Sequence, residues 1–189
     1  MRSLAAACLW VCAALGQGLS PGSRVGDFDL QKLDGTIAPF SALRGSTTVV
    51  VFISVNCPVS NGFNDRMTAV FNDYSAKGVN FVFINSNANE SAAEVAQHRQ
   101  RAGFPFEVFK DPRNRAADLF GAMATPETYV IDGAGVVRYH GYIEDSINAA
   151  RVKHRGLRDA LEAVLAGKPV PAAETRAFGC SIKRARRTT

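Results

Sequence analysis

The sequence predicts one α/β domain, a sandwich built on a mixed β-sheet. Dense β-branched runs alternate with segments whose apolar residues recur at helical spacing, and two later strands flank a hairpin signal. The resulting order, βαβα followed by ββα, is that of a mixed sheet covered by helices. With 189 residues, 47% of them hydrophobic, the chain can bury a core without a dense disulfide or metal scaffold.

The first half of the chain predicts a short ribbon and then a strand, a helix and a strand. Phe28 to Leu33 alternates apolar and polar residues, and the turn signal Asp34-Gly35 follows it, so an antiparallel ribbon is expected. The β-branched run Thr47 to Ser54 predicts a strand buried on both faces, and Val79 to Ile84 predicts a second one. Between them, helical spacing predicts one helix from about Pro58 to Lys77.

The second half predicts two further helices and a hairpin. Ser91 and Glu94 form a capping box, which predicts a helix running to about Ala102. The other predicted elements are a short strand at Glu107 to Lys110, a short helix at Asn114 to Phe120, a hairpin of Thr128 to Ile131 and Val136 to Tyr142, and a last helix on Leu157, Leu161, Val164 and Leu165. Gly167 ends that helix, so residues 168–189 are expected to form a C-terminal tail.

The N-terminus has the layout of a secretory signal peptide. Arg2 precedes the uncharged run Leu4 to Leu15, and the small-residue pattern Ala14-Leu15-Gly16 indicates cleavage near Gly16. The run is too short to span a bilayer. We therefore expect residues 1–16 to be removed and residues 17–167 to form the domain of a secreted or periplasmic protein, with no stable membrane insertion after cleavage.

The charge distribution argues against a nucleic-acid partner. The net charge is +5, from 22 basic and 17 acidic residues. Five of the basic residues lie outside the domain: Arg2 in the leader, and Lys183, Arg184, Arg186 and Arg187 in the tail. The remaining basic residues balance the acidic ones, whereas a nucleic-acid footprint would be a basic patch on the domain itself.

The cysteines carry the candidate chemistry. Signal cleavage leaves Cys57 and Cys180 in a compartment where disulfides persist, and they are either one structural disulfide, two unrelated thiols or a redox pair. Cys57 follows a strand and precedes Pro58, at a predicted helix N-terminus that favours a thiolate. The hydroxyl of Ser60 could donate a hydrogen bond to that thiolate, although a small buried cysteine is the alternative interpretation.

Metal and cofactor chemistry is not expected. His98, His140 and His154 lie on separate predicted elements, and no pair of them has metal-ligand spacing with the cysteines. Arg66 and Arg138 are candidate cations near the thiol, but structural ion pairs are the simpler expectation for both. The thiol chemistry predicted here needs no metal and no organic cofactor.

The motifs together resemble a known fold. The strand Thr47 to Ser54, the motif Asn56 to Ser60 and the segment Thr125 to Thr128 look like the thioredoxin fold, over roughly residues 24–166. The opening ribbon and the ending Ala177 to Lys183 are similar to peroxiredoxin-like redoxins of the alkyl hydroperoxide reductase and thiol-specific antioxidant group. The resemblance implies a three-layer sandwich with a central mixed sheet and an N-terminal β-ribbon.

The resemblance also implies roles for individual residues. Cys57 matches the nucleophilic cysteine, and Pro126 matches the cis-proline beside that sulfur. Ser60 stands where thioredoxins have their second cysteine. The peroxiredoxin pattern Pro-x-x-x-Thr-x-x-Cys has Val50 here in place of its proline and Ser54 in place of its threonine, which counts against efficient peroxide reduction.

The expected function is that of a thiol-based oxidoreductase. Cys57 would attack a peroxide or a protein disulfide, and an external thiol would supply the reducing equivalents. Cys180 would either resolve oxidised Cys57, within the chain or across a dimer, or be an inert or externally paired thiol. The alternative from another class is a non-catalytic or substrate-trapping binding domain of the same fold. The sequence leaves the oligomeric state open.

Overall fold

A seven-stranded mixed sheet forms the centre of the computed structural model, which describes residues 18–186. The strands are β1 Asp29–Gln31, β2 Ile37–Pro39, β3 Thr47–Phe52, β4 Val79–Asn85, β5 Val108–Lys110, β6 Ala124–Thr125, β7 Glu127–Asp132, β8 Val137–Gly141 and β9 Cys180–Ser181. The helices are α1 Phe40–Leu43, α2 Pro58–Asn61, α3 Asn64–Ser75, α4 Ala92–Arg101, α5 Arg115–Phe120 and α6 Gly156–Leu165, with a 3₁₀ turn at Ala149–Arg151. The predicted signal peptide and Arg187 lie outside the described residues.

The sheet has the order β2-β1-β5-β4-β3-β7-β8. Strand β3 lies inside it, parallel to β4 and antiparallel to β7, and β5 continues the sheet parallel to β4. The β1–β2 ribbon joins at β5, where Gln31 lies opposite Lys110. The sheet confirms the predicted α/β sandwich and the predicted N-terminal ribbon.

Two apolar cores cover the two faces of the sheet, because alternate residues of β3 point to opposite sides. Val49 and Val51 contact the core that contains Met67 of α3 and Leu161 of α6. Val50 and Phe52 contact the other core, which is rich in aromatic side chains from the ribbon, α1, α5 and β7. Every residue of β3 is buried, as its β-branched run predicts, so the end of this strand is a rigid support for the loop that leads to α2.

The prediction of one helix from Pro58 to Lys77 is wrong in one respect. The segment folds as two helices, α2 and α3, separated at Gly62 and Phe63. The Phe63 amide donates to the Ser60 carbonyl, three residues earlier, which closes the first helix with a tight turn. The guanidinium of Arg66 then lies 4.0 Å from the centre of the Phe63 ring and donates to the Gly62 carbonyl, which fixes the break.

The C-terminal tail packs along the domain. The Thr175 amide donates to the His140 carbonyl, and the His140 amide donates to the Ala173 carbonyl, so the tail first runs beside β8. Strand β9 then pairs antiparallel with β6, in a separate two-stranded sheet. Ile182 behind it is 6% exposed, and Arg184 forms an ion pair with Asp118. The tail up to these residues is therefore held against the body of the domain.

We predict that Gly179→Ala undocks strand β9. Gly179 has φ +149°, and a Cβ there would clash with the carbonyl oxygen of Thr125 on β6. Hydrogen–deuterium exchange of the peptide covering residues 180–185 should become fast, while the β3 and β4 peptides stay protected. The matched control is Gly167→Ala, at φ +65° with open space around its Cβ, which introduces backbone strain but no clash. Unchanged protection of residues 180–185 in Gly179→Ala would contradict the prediction.

Candidate active site

Cys57 lies at the start of α2, in the connection that leaves β3. It is the N-cap residue of this helix, Pro58 is the first helical residue, and the Cys57 side chain is 1% exposed. Its Sγ accepts a hydrogen bond from the Ser60 amide at 3.3 Å. A backbone N–H at a helix start is one of the groups without a partner inside the helix, so it is free to stabilise a negative sulfur.

Ser60 contacts Cys57 through a different atom from the one expected. Its hydroxyl accepts a hydrogen bond from the Ser54 amide at 3.2 Å, and its own backbone amide donates to the sulfur. The side chain is buried and braces the loop that leaves β3. Ser60 therefore holds the sulfur and the loop together by two separate hydrogen bonds.

The segment before β7 forms the second wall of the site. The peptide bond between Thr125 and Pro126 is cis, as the resemblance implies, and the Cys57 thiol donates to the Thr125 carbonyl at 3.2 Å. The next residue, Glu127, is buried, and its Oε2 accepts from the amides of Met123 and Ala124 at 2.8 and 2.9 Å. The carboxylate of Glu127 thus fixes the backbone that presents Thr125 to the sulfur.

Cys180 reaches the same place from the tail. In the pairing of β6 with β9, Thr125 lies directly opposite Cys180, and the Thr125 hydroxyl donates to the Cys180 carbonyl at 3.4 Å. Both cysteines are free thiols, and their side chains are within hydrogen-bonding reach of each other. The fold therefore brings together the two cysteines that signal cleavage would leave, within one chain.

The pKa values of the two thiols are shifted in opposite directions. Burial raises the pKa of Cys57, but hydrogen bonds, led by those from the Cys180 thiol and the Ser60 amide, outweigh it, so the pKa lies below its ordinary value. The pKa of Cys180 is raised, because its thiol donates to Cys57, because it is partly buried and because it faces the charge on Cys57. Cys57 is thus the thiol of the pair that loses its proton first, and Cys180 is the thiol that keeps its proton longer.

Glu90 is a site residue that sequence reasoning did not identify. It is 3% exposed, and its Oε1 accepts from the Ser54 hydroxyl at 2.7 Å and from the Asn56 amide at 3.0 Å, while its Oε2 accepts from the Val55 amide at 3.0 Å. Burial raises the pKa of Glu90, but its hydrogen bonds, led by those from Asn85 and Ser54, hold the pKa below its usual value. Nothing in the local sequence indicates this long-range role.

Other candidate residues have structural partners. Arg66 forms an ion pair with Glu144 at 2.7 Å, and Arg138 forms one with Asp132 at 2.6 Å, as expected. Within residues 18–186, no three His, Cys, Asp or Glu side chains are grouped so that they could hold a metal ion. In the same range, no helix combines the length and the apolar character that a bilayer crossing needs.

Curated relatives of this chain include a peroxiredoxin and a thiol:disulfide interchange protein. A chloroplastic peroxiredoxin Q of Oryza sativa subsp. japonica is 27% identical over 128 residues, which are 64% of this chain and 58% of the relative. A thiol:disulfide interchange protein DsbE of Xylella fastidiosa is 30% identical over 73 residues, 38% of this chain and 36% of the relative. The chain thus spans less than two thirds of the length of either relative.

Solved structures superpose on most of this chain. An uncharacterised conserved protein of Geobacillus kaustophilus superposes with a TM-score of 0.83 at 29% identity, covering 90% of this chain and 95% of that one. Peroxidoxin BcpB of Mycobacterium tuberculosis superposes with a TM-score of 0.60 at 19% identity, over 78% and 95% of the two chains, which supports the thioredoxin-like fold alone.

A family comparison covers most of the domain. The model of the AhpC/TSA family matches residues 21–140, a range that includes the ribbon, β3, Cys57 and the cis-proline. The thioredoxin-like architecture agrees with that match. The chain belongs to the AhpC/TSA family.

Proposed function

We propose that this protein is a thiol-dependent oxidoreductase in which Cys57 is the nucleophile and Cys180 resolves it within the same chain. The observation that carries the proposal is the pairing of β6 with β9, which places Cys180 opposite Thr125 while Thr125 contacts Cys57. The opposite pKa shifts of the two thiols support the order of attack, because the thiolate is the nucleophilic form and Cys57 has the lower pKa. Pro126 and Ser60 shape the site on either side of the sulfur.

The reaction with a disulfide proceeds by two exchange steps. The Cys57 thiolate attacks one sulfur of the substrate disulfide, so that a mixed disulfide forms and the other substrate sulfur leaves as a thiolate. Cys180, after losing its proton, attacks the Cys57 sulfur and releases the second substrate thiolate. The protein is left with a Cys57–Cys180 disulfide, and the substrate has gained two electrons. Two equivalents of an external thiol then reduce the protein and form one external disulfide.

A peroxide would enter the same cycle at Cys57. The thiolate attacks one peroxide oxygen, the O–O bond breaks, and the departing oxygen takes up a proton, which leaves Cys57 as a sulfenic acid. Cys180 then attacks the sulfenic sulfur, water leaves, and the same disulfide results. Both substrate classes thus lead to one oxidised form of the protein.

The surroundings of Cys57 favour a disulfide over a peroxide as the main substrate. A hydroxyl beside the thiolate could bind and polarise a peroxide, and Ser54 stands at the corresponding position. Its hydroxyl donates at 2.7 Å to Glu90 and is therefore not available to a second acceptor. We infer that thiol–disulfide exchange is the faster reaction and that peroxide is a slower oxidant.

The location proposed for this activity is outside the cytoplasm, either secreted or periplasmic. The signal-peptide pattern of residues 1–16 supports it. Disulfides also persist in that compartment, which agrees with a reaction that forms a protein disulfide. The external thiol reductant would act there. The rival proposal, a binding domain of the same fold with inert cysteines, makes the opposite prediction for oxidation of the two thiols.

We predict that mild oxidation produces an intramolecular Cys57–Cys180 disulfide. Fully reduced protein treated with one equivalent of oxidised glutathione, or of peroxide, should lose two hydrogens by intact mass. Non-reducing digestion should then yield one cross-linked pair of peptides, and a size measurement should show an unchanged monomer mass.

The matched control for this experiment is Cys180→Ser. It should stall with glutathione attached to Cys57, or with Cys57 as sulfenic acid that proceeds to sulfinic acid. If wild-type Cys57 stays unmodified under conditions that oxidise a free thiol, the cysteines are inert and the binding-domain proposal is preferred.

A second prediction concerns the thiol that donates to Cys57. Cys180→Ala removes the S–H donor, so the pKa of Cys57 should rise, whereas Cys180→Ser retains a hydroxyl donor and should keep the pKa closer to that of the wild type. Iodoacetamide alkylation of Cys57, followed by peptide mass against pH, measures the midpoint. In the wild type it should lie below the ~8.5 of a free thiol. Equal midpoints in the wild type and the alanine variant would show that Cys180 does not stabilise the thiolate.

A further inference from the structure

The segment of residues 85–90, between β4 and α4, contacts both of the chain stretches that carry the cysteines. Its polar residues Asn85, Ser86, Asn87 and Glu90 are all buried. Burying four polar residues in one short connection is costly unless each of them is hydrogen-bonded. Their partners show which parts of the chain this segment holds in place.

Glu90 holds the Cys57 side. Each of the three residues that precede Cys57 donates a hydrogen bond to the Glu90 carboxylate. These donors are the Ser54 hydroxyl and the amides of Val55 and Asn56, at 2.7, 3.0 and 3.0 Å. The Ser54 amide is separate, because it donates to Ser60. The loop lies beyond the end of β3, so its amides have no strand partner. The carboxylate takes the place of a neighbouring strand for this loop.

Asn87 and its neighbour hold the Cys180 side. The Asn87 side-chain oxygen accepts from the Lys183 amide at 2.8 Å, and the Ala88 amide donates to the Lys183 carbonyl at 2.9 Å. Lys183 lies just beyond strand β9, so both polar groups of its backbone are fixed to the segment. The anchoring point is three residues from Cys180 along an extended chain.

A buried lysine joins the two halves. Lys110 of β5 donates to the Asn85 side-chain oxygen, the Asn87 carbonyl and the Glu90 carbonyl at 2.6, 3.0 and 2.5 Å. The amide groups of Asn85 and Asn87 in turn donate to Oε2 of Glu90, at 2.5 and 3.4 Å. Glu90, the holder of the Cys57 loop, and Asn87, the holder of the tail, are therefore parts of one hydrogen-bonded network.

We propose that Glu90 and Asn87 are positioning residues that set the separation of the two sulfurs, Glu90 through the loop before Cys57 and Asn87 through Lys183 after Cys180. Neither side chain contacts a sulfur in the hydrogen bonds described above. The proposal rests on the Cys57–Cys180 disulfide of the proposed function. In this proposal residues 85–90 bring the Cys57 loop and the Cys180 tail together. The sequence pattern links residues 85–90 to neither of them.

The quantity that reports this positioning is the equilibrium with glutathione. Oxidised glutathione takes two electrons from the two protein thiols, and the protein disulfide and two molecules of reduced glutathione are formed. The equilibrium constant measures the effective concentration of one protein thiol at the other. A substitution that loosens either holder lowers this constant, whereas a substitution that merely destabilises a remote part of the fold does not.

The test compares Asn87→Ala and Glu90→Gln with the control Glu94→Gln. Asn87→Ala removes the hydrogen bond from the Lys183 amide and the long one to Glu90 at 3.4 Å, and it should lower the constant about five-fold, the effect of one net hydrogen bond. Glu90→Gln replaces one acceptor oxygen by a donor and should lower it about ten-fold or more. Glu94 forms the capping box with Ser91 on the next turn, so Glu94→Gln makes the same chemical change away from both cysteine stretches and should leave the constant within about two-fold.

Hydrogen–deuterium exchange separates the two holders and does not depend on the disulfide. Asn87→Ala should accelerate exchange in residues 180–185 while residues 54–56 stay as in the wild type. Glu90→Gln should accelerate exchange in residues 54–56 as well. If Glu90→Gln does not fold, Asn87→Ala alone decides the question.

The outcomes are distinguishable. A glutathione constant within about two-fold of the wild type in folded Asn87→Ala, or an equal fall in Glu94→Gln, overturns the positioning role while the proposed function stands. If the wild type forms no Cys57–Cys180 disulfide, the proposed function fails. In that case accelerated exchange in both segments still supports the holding role of Asn87 and Glu90, and unchanged exchange overturns it.

Discussion

The antiparallel pairing of β6 with β9 is the constraint on which the site depends. Each strand has two residues, and the register sets Cys180 opposite Thr125, whose carbonyl accepts from the Cys57 thiol. The main sheet brings Thr125 to Cys57, because β7 directly follows Pro126 and pairs with β3, and Cys57 lies just beyond β3. Two pairings of different size therefore converge on one sulfur. The larger one forms the core, and the smaller one supplies the second thiol.

The smaller pairing also shifts the pKa values of the two thiols. A cysteine that is 1% exposed is expected to be a neutral thiol, because burial disfavours the charged form. Here the tail supplies the Cys180 thiol, which donates to Cys57 and lowers its pKa. The same hydrogen bond raises the pKa of Cys180. Docking of the tail thus brings Cys180 to Cys57 and, at the same time, lowers the pKa of Cys57.

The features that depend on local signals are predictable from the sequence, and those that depend on distant contacts are not. The β-branched run, Cys57 and Pro58 identify a strand end and a helix start, and the structure has both there. The residue type of Ser60 predicts a hydrogen bond from its hydroxyl to the sulfur, but in the structure its backbone amide makes that bond. The sequence does not reveal which atom of a tight turn faces a neighbour. The position of Cys180 has no sequence signal, since a strand of two residues has no periodicity to detect. Glu90 has none either, because the loop before Cys57 that it binds lies more than thirty positions earlier in the chain.

Two buried carboxylates solve the same problem on the two sides of Cys57. Each chain stretch beside the sulfur has backbone amides that donate to a carboxylate and not to a neighbouring strand, and a buried amide without a partner costs about 1–3 kcal/mol. Glu90 accepts from the amides of Val55 and Asn56, and Glu127 accepts from those of Met123 and Ala124. An apolar side chain of similar volume could fill either space but could not satisfy these amides. The presence of a charged group in the interior therefore follows from the shape of the backbone that the cysteine site requires. Two amides and at least one further donor surround each carboxylate, and these hydrogen bonds offset the free-energy cost of burying it.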